Sequence, residues 1–248
     1  MTELVGILNI TPDSFSDGGD FVDPTLALER ARRLFEEGAA MVDVGAESTR
    51  PNATKLTPDE EWERLSPVLP HLLDEFPGRI SLDTYHPETV RRAWRHGEVI
   101  VNDVTGMNNP RMQEVVVQLG AKAIISHLPG IDIQAAHHSE ELVDSIEIVK
   151  EGLLGKAELL ISAGLPKSSI ILDPGIGFGK TMELNWELLK FGDQLPDYPV
   201  MIGYSRKRFL GANRMELEPN LEAGRIAIKH GAAYLRVHDV GAHRALLD

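Results

Sequence analysis

Short β-rich apolar runs alternate eight times with longer amphipathic segments along this chain of 248 residues. That alternation restricts it to parallel strands joined by crossover helices. The runs fall at 4–10, 40–44, 79–82, 99–101, 122–126, 170–173, 199–202 and 233–237. The first helix is predicted over 24–37, where Leu26, Leu28, Ala31, Leu34 and Phe35 share a face. A second opens at Thr57-Pro58, with Thr57 as N-cap and Glu60 at the capping-box position. Further helices begin near His86-Pro87 and after Asn109-Pro110. A polar segment, 128–139, then precedes a long helix over 140–163, in which Gly152 and Gly155 are potential breaks. Helices over 182–191 and 223–230 and a short closing one complete the series. Eight units in this length predict a closed (β/α)8 TIM barrel, with residues 1–248 as one domain. A doubly wound open sheet is the rival, but no shift in composition or linker marks a boundary.

The formal net charge of −13 argues against a general nucleic-acid or anionic-membrane surface and leaves room for a local basic pocket. There are no cysteines, which excludes disulfides and thiolate metal sites. No apolar run reaches the roughly 18 residues of a membrane span. The N-terminus MTELVGILNI carries neither a basic segment nor a cleavage site, so the expected compartment is the cytoplasm.

In a barrel the active site lies where strands end. Ile170 to Thr181 reads IILDPGIGFGKT, a buried strand that delivers Asp173 to a glycine-rich loop. The nucleotide-binding pattern G-x-x-x-x-G-K-[ST] needs glycine where this chain has Pro174, so a phosphate loop of that kind is excluded. Lys180 is left with two readings, solvent-facing or bracing the loop. Polar residues follow every other strand too: Asn9; Glu47, Ser48, Thr49 and Arg50; Asp83; Asn102 and Asp103; His127; Ser205, Arg206 and Lys207; Arg236, His238 and Asp239. Asp83, Asn102 and Asp173 suit the edge of a flat heterocycle with N–H donors and a carbonyl acceptor. Arg50, Lys207, Arg236 and His238 gather positive charge in an acidic chain, which suits phosphate or pyrophosphate. The loop 11–19 has one aromatic, Phe15, able to fold over a ligand. His127 is the weakest candidate, and His137-His138 are expected to be solvated.

Seven segments in order carry a resemblance: GILNITPDSFSDGG (6–19), GAESTRP (45–51), SLDTYHPE (81–88), IVNDVTG (100–106), ILDPGIGFGKT (171–181), GYSRKRFLG (203–211) and LRVHDV (235–240). Together they resemble the dihydropteroate synthases. The resemblance implies condensation of 6-hydroxymethyl-7,8-dihydropterin pyrophosphate with p-aminobenzoate, giving 7,8-dihydropteroate and pyrophosphate in folate biosynthesis. It implies that Asp83, Asn102, Asp173 and Lys207 hold the pterin. It further assigns Mg²⁺ and pyrophosphate to Asn9, and the anion to Arg236 and His238. Thr49 and Arg50, with Phe15 and Asp17, would close over the reacting centre and help to form the p-aminobenzoate site. On this reading Asp173, Lys207, Arg50 and Asp17 are the catalytic set. A homodimer and sensitivity to sulfonamides are implied as well.

The chain departs from the family where Ala46 replaces a usual second glycine and where Ser126-His127-Leu128 replaces Met-His-Met. Arg208 stands where serine is common, and the segment between Lys207 and Arg236 is short for the family. Two alternatives follow: a pterin-binding methyltransferase of the methyltetrahydrofolate type, and a catalytically impaired pterin-binding paralogue. The joint presence of STRP, SRK and RVHD favours the synthase over the first.

Overall fold

A computed structural model, describing residues 1–11, 23–48, 53–130 and 132–247, contains the eight parallel strands in one sheet. They are β1 (Glu3–Asn9), β2 (Met41–Gly45), β3 (Ile80–Asp83), β4 (Ile100–Asp103), β5 (Ala123–Ser126), β6 (Ile170–Asp173), β7 (Met201–Ile202) and β8 (Tyr234–Val237). Neighbours run β6-β5-β4-β3-β2-β1-β8-β7. A parallel bridge between Leu172 and Val200 closes the ring, with Leu172 N donating to the Pro199 carbonyl at 3.0 Å. The fold is therefore the expected (β/α)8 barrel.

The helices are α1 (Pro24–Glu36), α2 (Pro58–Leu65), α3 (Leu69–Glu75), α4 (Pro87–Trp94), α5 (Pro110–Leu119), α6 (Ile133–His138), α7 (Ile146–Ser162), α8 (Met182–Glu187), α9 (Leu217–Lys229) and α10 (Val240–Arg244). Proline opens α1, α2, α4 and α5, at positions whose N–H has no helical partner. Thr57 and Glu60 form the reciprocal capping box.

Several boundaries differ from expectation. Helix α7 starts at Ile146 rather than 140, because the Ser145 hydroxyl caps it by accepting from Glu147 N at 3.2 Å. Gly152 and Gly155 do not interrupt it; Gly152 lets the helix approach His127, whose Cδ2 would lie 3.0 Å from an added Cβ. The polar segment 128–139 holds α6, capped by Asp132, and α3 is an additional helix between β2 and β3. The helix expected over 182–191 is α-helical to Glu187 and continues as a 3-10 helix, Leu188–Gln194. Helix α9 begins at Leu217 rather than 223, since Pro219 lies within the first turn, where its missing N–H costs no bond.

The strand period of two positions the site. Val5, Met41, Ile124, Ile171 and Met201 form a small apolar cluster inside the barrel, with Ile100 and Tyr234 packed against it. Two residues along from Met41, Ile100, Ile171 and Tyr234 come Asp43, Asn102, Asp173 and Arg236, on the same strand faces. The layer above the apolar floor is thus polar.

On the outer side, Glu61 of α2 is buried and accepts the Thr84 hydroxyl at 2.8 Å. Burial pushes its carboxyl up to about 7. The folded chain keeps this proton while the unfolded chain releases it, so stability falls as pH rises from about 4.5 to about 7. Glu61→Gln does not titrate, and its stability relative to the parent is expected to rise across that window by about 1–3 kcal/mol. Urea unfolding at pH 4.5 and pH 8 checks this; an equal difference at both would contradict it.

Candidate active site

The carboxyl ends of the strands bring together Asp43, Asp83, Asn102, Asp173, Lys207 and Arg236. Arg236 is central: Nε donates to Asp43 Oδ2 at 2.6 Å and Nη2 to Asp83 Oδ2 at 2.8 Å. Asn102 Nδ2 donates to the same Asp43 oxygen at 3.0 Å. Asp43 is fully buried and its Oδ1 has no hydrogen-bond partner, so it is tied to the site entirely through Oδ2. Burial and the neighbouring Asp43 carboxylate push the Asp83 carboxyl well above the usual range, against the opposing Arg236. Burial alone would lower Arg236, but Asp43 and Asp83 outweigh it and hold the guanidinium charged.

Across the ring Asp173 is buried, and its Oδ1 accepts Gly175 N at 2.7 Å. Burial raises this carboxyl, while Lys207, the Gly175 amide, Arg236 and Lys180 oppose the shift. Lys207 Nζ donates to the Ile176 carbonyl at 2.6 Å and lies 4.9 Å from the Phe178 ring centroid. Burial draws the Lys207 ammonium down to about 8, with Asp173 working to keep it charged. Lys207 and Arg236, both half-buried, therefore share one layer with buried Asp43 and Asp173 and half-buried Asp83, where partial exclusion of solvent makes an electrostatic contact stronger than in water.

The loop between Asp173 and Lys180 needs its glycines. Gly175 has φ +66°, and a Cβ there would lie 2.1 Å from the His127 carbonyl oxygen. Gly175→Ala is expected to lower Tm by at least about 5 °C, since left-handed strain and the backbone clash both fall on one residue. A melting curve within about 1 °C of the parent would contradict that placement.

The second sequence-predicted group sits on the β7 and β8 loops. His238 Nδ1 lies 2.9 Å from Ser205 Oγ, and His238 N donates to that oxygen at 3.3 Å. Arg206, held at φ +61°, makes a two-pronged contact with both Asp239 oxygens at 3.0 Å. These pairs lock the two loops together. Asn9 is half-buried at the end of β1, in register with Gly45. Phe15, Asp17, Thr49 and Arg50 lie outside the described residues.

Of the remaining candidates, Glu47 is a loop anchor: Oε2 accepts Leu56 N at 2.9 Å and Oε1 accepts the Tyr85 hydroxyl at 2.6 Å. Asp103 likewise shapes its own turn, accepting from Thr105 N, Thr105 Oγ1 and Met107 N. Burial and the nearby Lys180 cation push His127 down to about 3, so it is neutral. His138 is exposed, as expected, but His137 is half-buried with its ring 5.3 Å from that of Phe178. Asp43 is the residue that the strand-end reading missed. The available signal was a lone carboxylate inside the apolar run MVDVG, which demands a buried partner.

Residues 5–238 match the family described as pterin binding enzyme. The dihydropteroate synthase of Mycobacterium leprae is 35% identical over 97% of this chain and 89% of its own length. A solved Xanthomonas albilineans dihydropteroate synthase in complex with 7,8-dihydropteroate superposes with a TM-score of 0.83, at 33% identity, covering 99% of this chain and 91% of that one. The Yersinia pestis dihydropteroate synthase in a sulfonamide drug complex superposes with a TM-score of 0.90, at 31% identity, covering 99% and 92%.

Proposed function

The chain belongs to the pterin-binding enzymes, within the dihydropteroate synthase family, and on that premise we infer that it joins 6-hydroxymethyl-7,8-dihydropterin pyrophosphate to p-aminobenzoate. The observation that carries this reading is the layer of buried Asn102 and Asp173 with half-buried Asp83 and Lys207 at the carboxyl end of the barrel. Carboxylates accept from the pterin's ring N–H and exocyclic amino group, and Lys207 donates to its carbonyl. An analogue without those groups would leave the buried polar atoms unpaired, which is the source of selectivity.

The reaction breaks the bond between the exocyclic methylene carbon and the pyrophosphate oxygen and forms a bond from that carbon to the aryl amine nitrogen, which loses a proton. As pyrophosphate departs with the bonding pair, positive charge spreads into the dihydropterin ring. Asp173 stands by to stabilise it, while Arg236 and His238 are proposed to receive the anion. No protein nucleophile is required, so positioning and electrostatics supply the acceleration. Thr49, Arg50, Phe15 and Asp17 are proposed to complete the p-aminobenzoate side, where a sulfonamide would compete.

Mg²⁺ belongs to the same proposal. Asn9 offers one hard amide oxygen at the rim, and among the described residues no group of three or more acidic or histidine side chains forms a metal cage. That donor set fits a cation held largely by pyrophosphate oxygens and water, as Mg²⁺ prefers. When bound, the ion would neutralise charge on the leaving pyrophosphate.

A homodimer and a cytoplasmic location are also proposed. Helix α8 exposes Met182 and Trp186, apolar surface of the kind that a second copy covers; light scattering should give twice the chain mass. Among the described residues no helix is long and apolar enough to cross a membrane, and the absence of cysteine suits a reducing compartment.

The test is pyrophosphate release from purified protein given both substrates with Mg²⁺. Release that requires p-aminobenzoate and is inhibited by a sulfonamide competitively against p-aminobenzoate is expected. Binding of the pterin without release would contradict the assignment.

A further inference from the structure

Lys180 takes no part in the chemistry above, yet it is buried directly behind it. Its Nζ donates to three backbone carbonyls, those of Gly175 at 2.8 Å, Phe178 at 3.0 Å and His127 at 3.1 Å. Burial draws this ammonium down to about 7 against the opposing Asp173 carboxylate; in the charged form it has three N–H donors, and all three are used. A neutral amine could fill only two of these contacts. The lysine backbone is fixed as well: Lys180 bridges in parallel to Val143, Val143 N donates to the Gly179 carbonyl at 2.9 Å, and Thr181 N returns to the Val143 carbonyl at 3.0 Å.

This arrangement sorts the loop's carbonyls. Those of residues 175 and 178 turn inward to Lys180, whereas the carbonyl of Ile176 between them accepts Lys207 Nζ at 2.6 Å. The Gly175 amide points to Asp173 Oδ1, and the Gly177 amide to Asn185 Oδ1 at 2.6 Å. The same loop thus contacts both Asp173 and Lys207, and the third contact of Lys180, to His127, ties it to the end of β5.

We propose that Lys180 is a positioning residue, whose ammonium folds the 173–180 loop around itself and thereby sets Asp173 and Lys207 in register for the reaction. The proposal rests on the roles assigned to those two residues above. A displacement of about 1 Å at a reacting group costs on the order of 10²-fold in rate. Lys180→Met removes all three donors: the His127 and Phe178 carbonyls lose this contact, and the Gly175 carbonyl keeps only the Phe178 N–H, at 3.2 Å.

The experiment compares the parent, Lys180→Met, Lys180→Arg and Lys180→Cys aminoethylated with bromoethylamine before refolding. Because the chain has no cysteine, alkylation is confined to position 180. Two readouts are taken on folded protein: steady-state kinetics, and amide exchange at Gly175 and Gly177. Lys180→Met is expected to lower kcat by about 10–100-fold, to raise KM for the pterin pyrophosphate more than KM for p-aminobenzoate, and to speed exchange at both amides. Lys180→Arg keeps the charge in a planar fork that cannot meet three convergent carbonyls, so it should also lose at least tenfold in kcat; it decides the matter if Lys180→Met does not fold. Aminoethylation should restore kcat and slow exchange again. Folded variants with kcat within twofold of the parent and unchanged exchange would overturn the proposal. An inactive parent together with faster exchange in Lys180→Met would reject the synthase reading and support the loop role.

Discussion

Asp173→Asn is expected to leave the barrel folded and to lower kcat by about 10²–10³-fold. The substitution is nearly isosteric, and an amide oxygen can still accept the Gly175 N–H that the carboxylate now holds at 2.7 Å. What it removes is a negative charge in a buried layer, beside the position where the dihydropterin carries positive charge as pyrophosphate leaves. Lys207 opposes the burial penalty on Asp173 and loses its partner in the variant. Binding of the pterin pyrophosphate should weaken far less than turnover, because the charge being stabilised develops only in the transition state. A folded variant with kcat within threefold of the parent would remove Asp173 from the chemistry.

Arg236→Met should have the largest effect on stability, a loss of about 3–5 kcal/mol near neutral pH. The arginine neutralises two carboxylates at once, Asp43 at 2.6 Å and Asp83 at 2.8 Å. Methionine fills much of the volume but leaves both without a cation, and Asp43 already has one oxygen with no partner. The pH dependence follows from the direction of the Asp83 shift. Its folded carboxyl already holds its proton above the ordinary range, with Arg236 opposing that shift, and without Arg236 it rises further. Folded molecules then keep protons that the unfolded chain has lost, so the deficit grows as pH rises from about 4. Urea unfolding should show a small difference between variant and parent at pH 4.5 and the full one at pH 8. A difference independent of pH would mean that lost packing, rather than unpaired charge, explains the effect.

Much of this barrel was legible because strand period and helix caps are local. Thr57 with Glu60 and Asn109 before Pro110 announce helix starts, while apolar runs ending in Asp83, Asn102 and Asp173 announce a strand and a candidate site residue at once. Less legible were residues whose role depends on a distant partner. Asp43 lies mid-strand, and only closure of the barrel brings Arg236 across to it, 193 positions away in sequence. The sequence left Lys180 either solvent-facing or bracing the loop, and only its three carbonyl acceptors, one of them on the neighbouring β5 loop, decide for bracing. Helix starts were displaced for a similar reason: Val143 pairs with Lys180 as an extended segment, so α7 cannot begin until Ser145 caps it.

The central claim is that the Asp83–Asn102–Asp173–Lys207 layer receives the pterin. The most direct measurement is a crystal structure of this chain with 7,8-dihydropteroate bound. The account predicts the pterin edge within hydrogen-bond distance of the Asp83, Asn102 and Asp173 side chains, its carbonyl facing Lys207, and the aminobenzoyl group directed out toward the rim. A pterin bound elsewhere, or bound with Asp83 and Asp173 both out of reach, would contradict it.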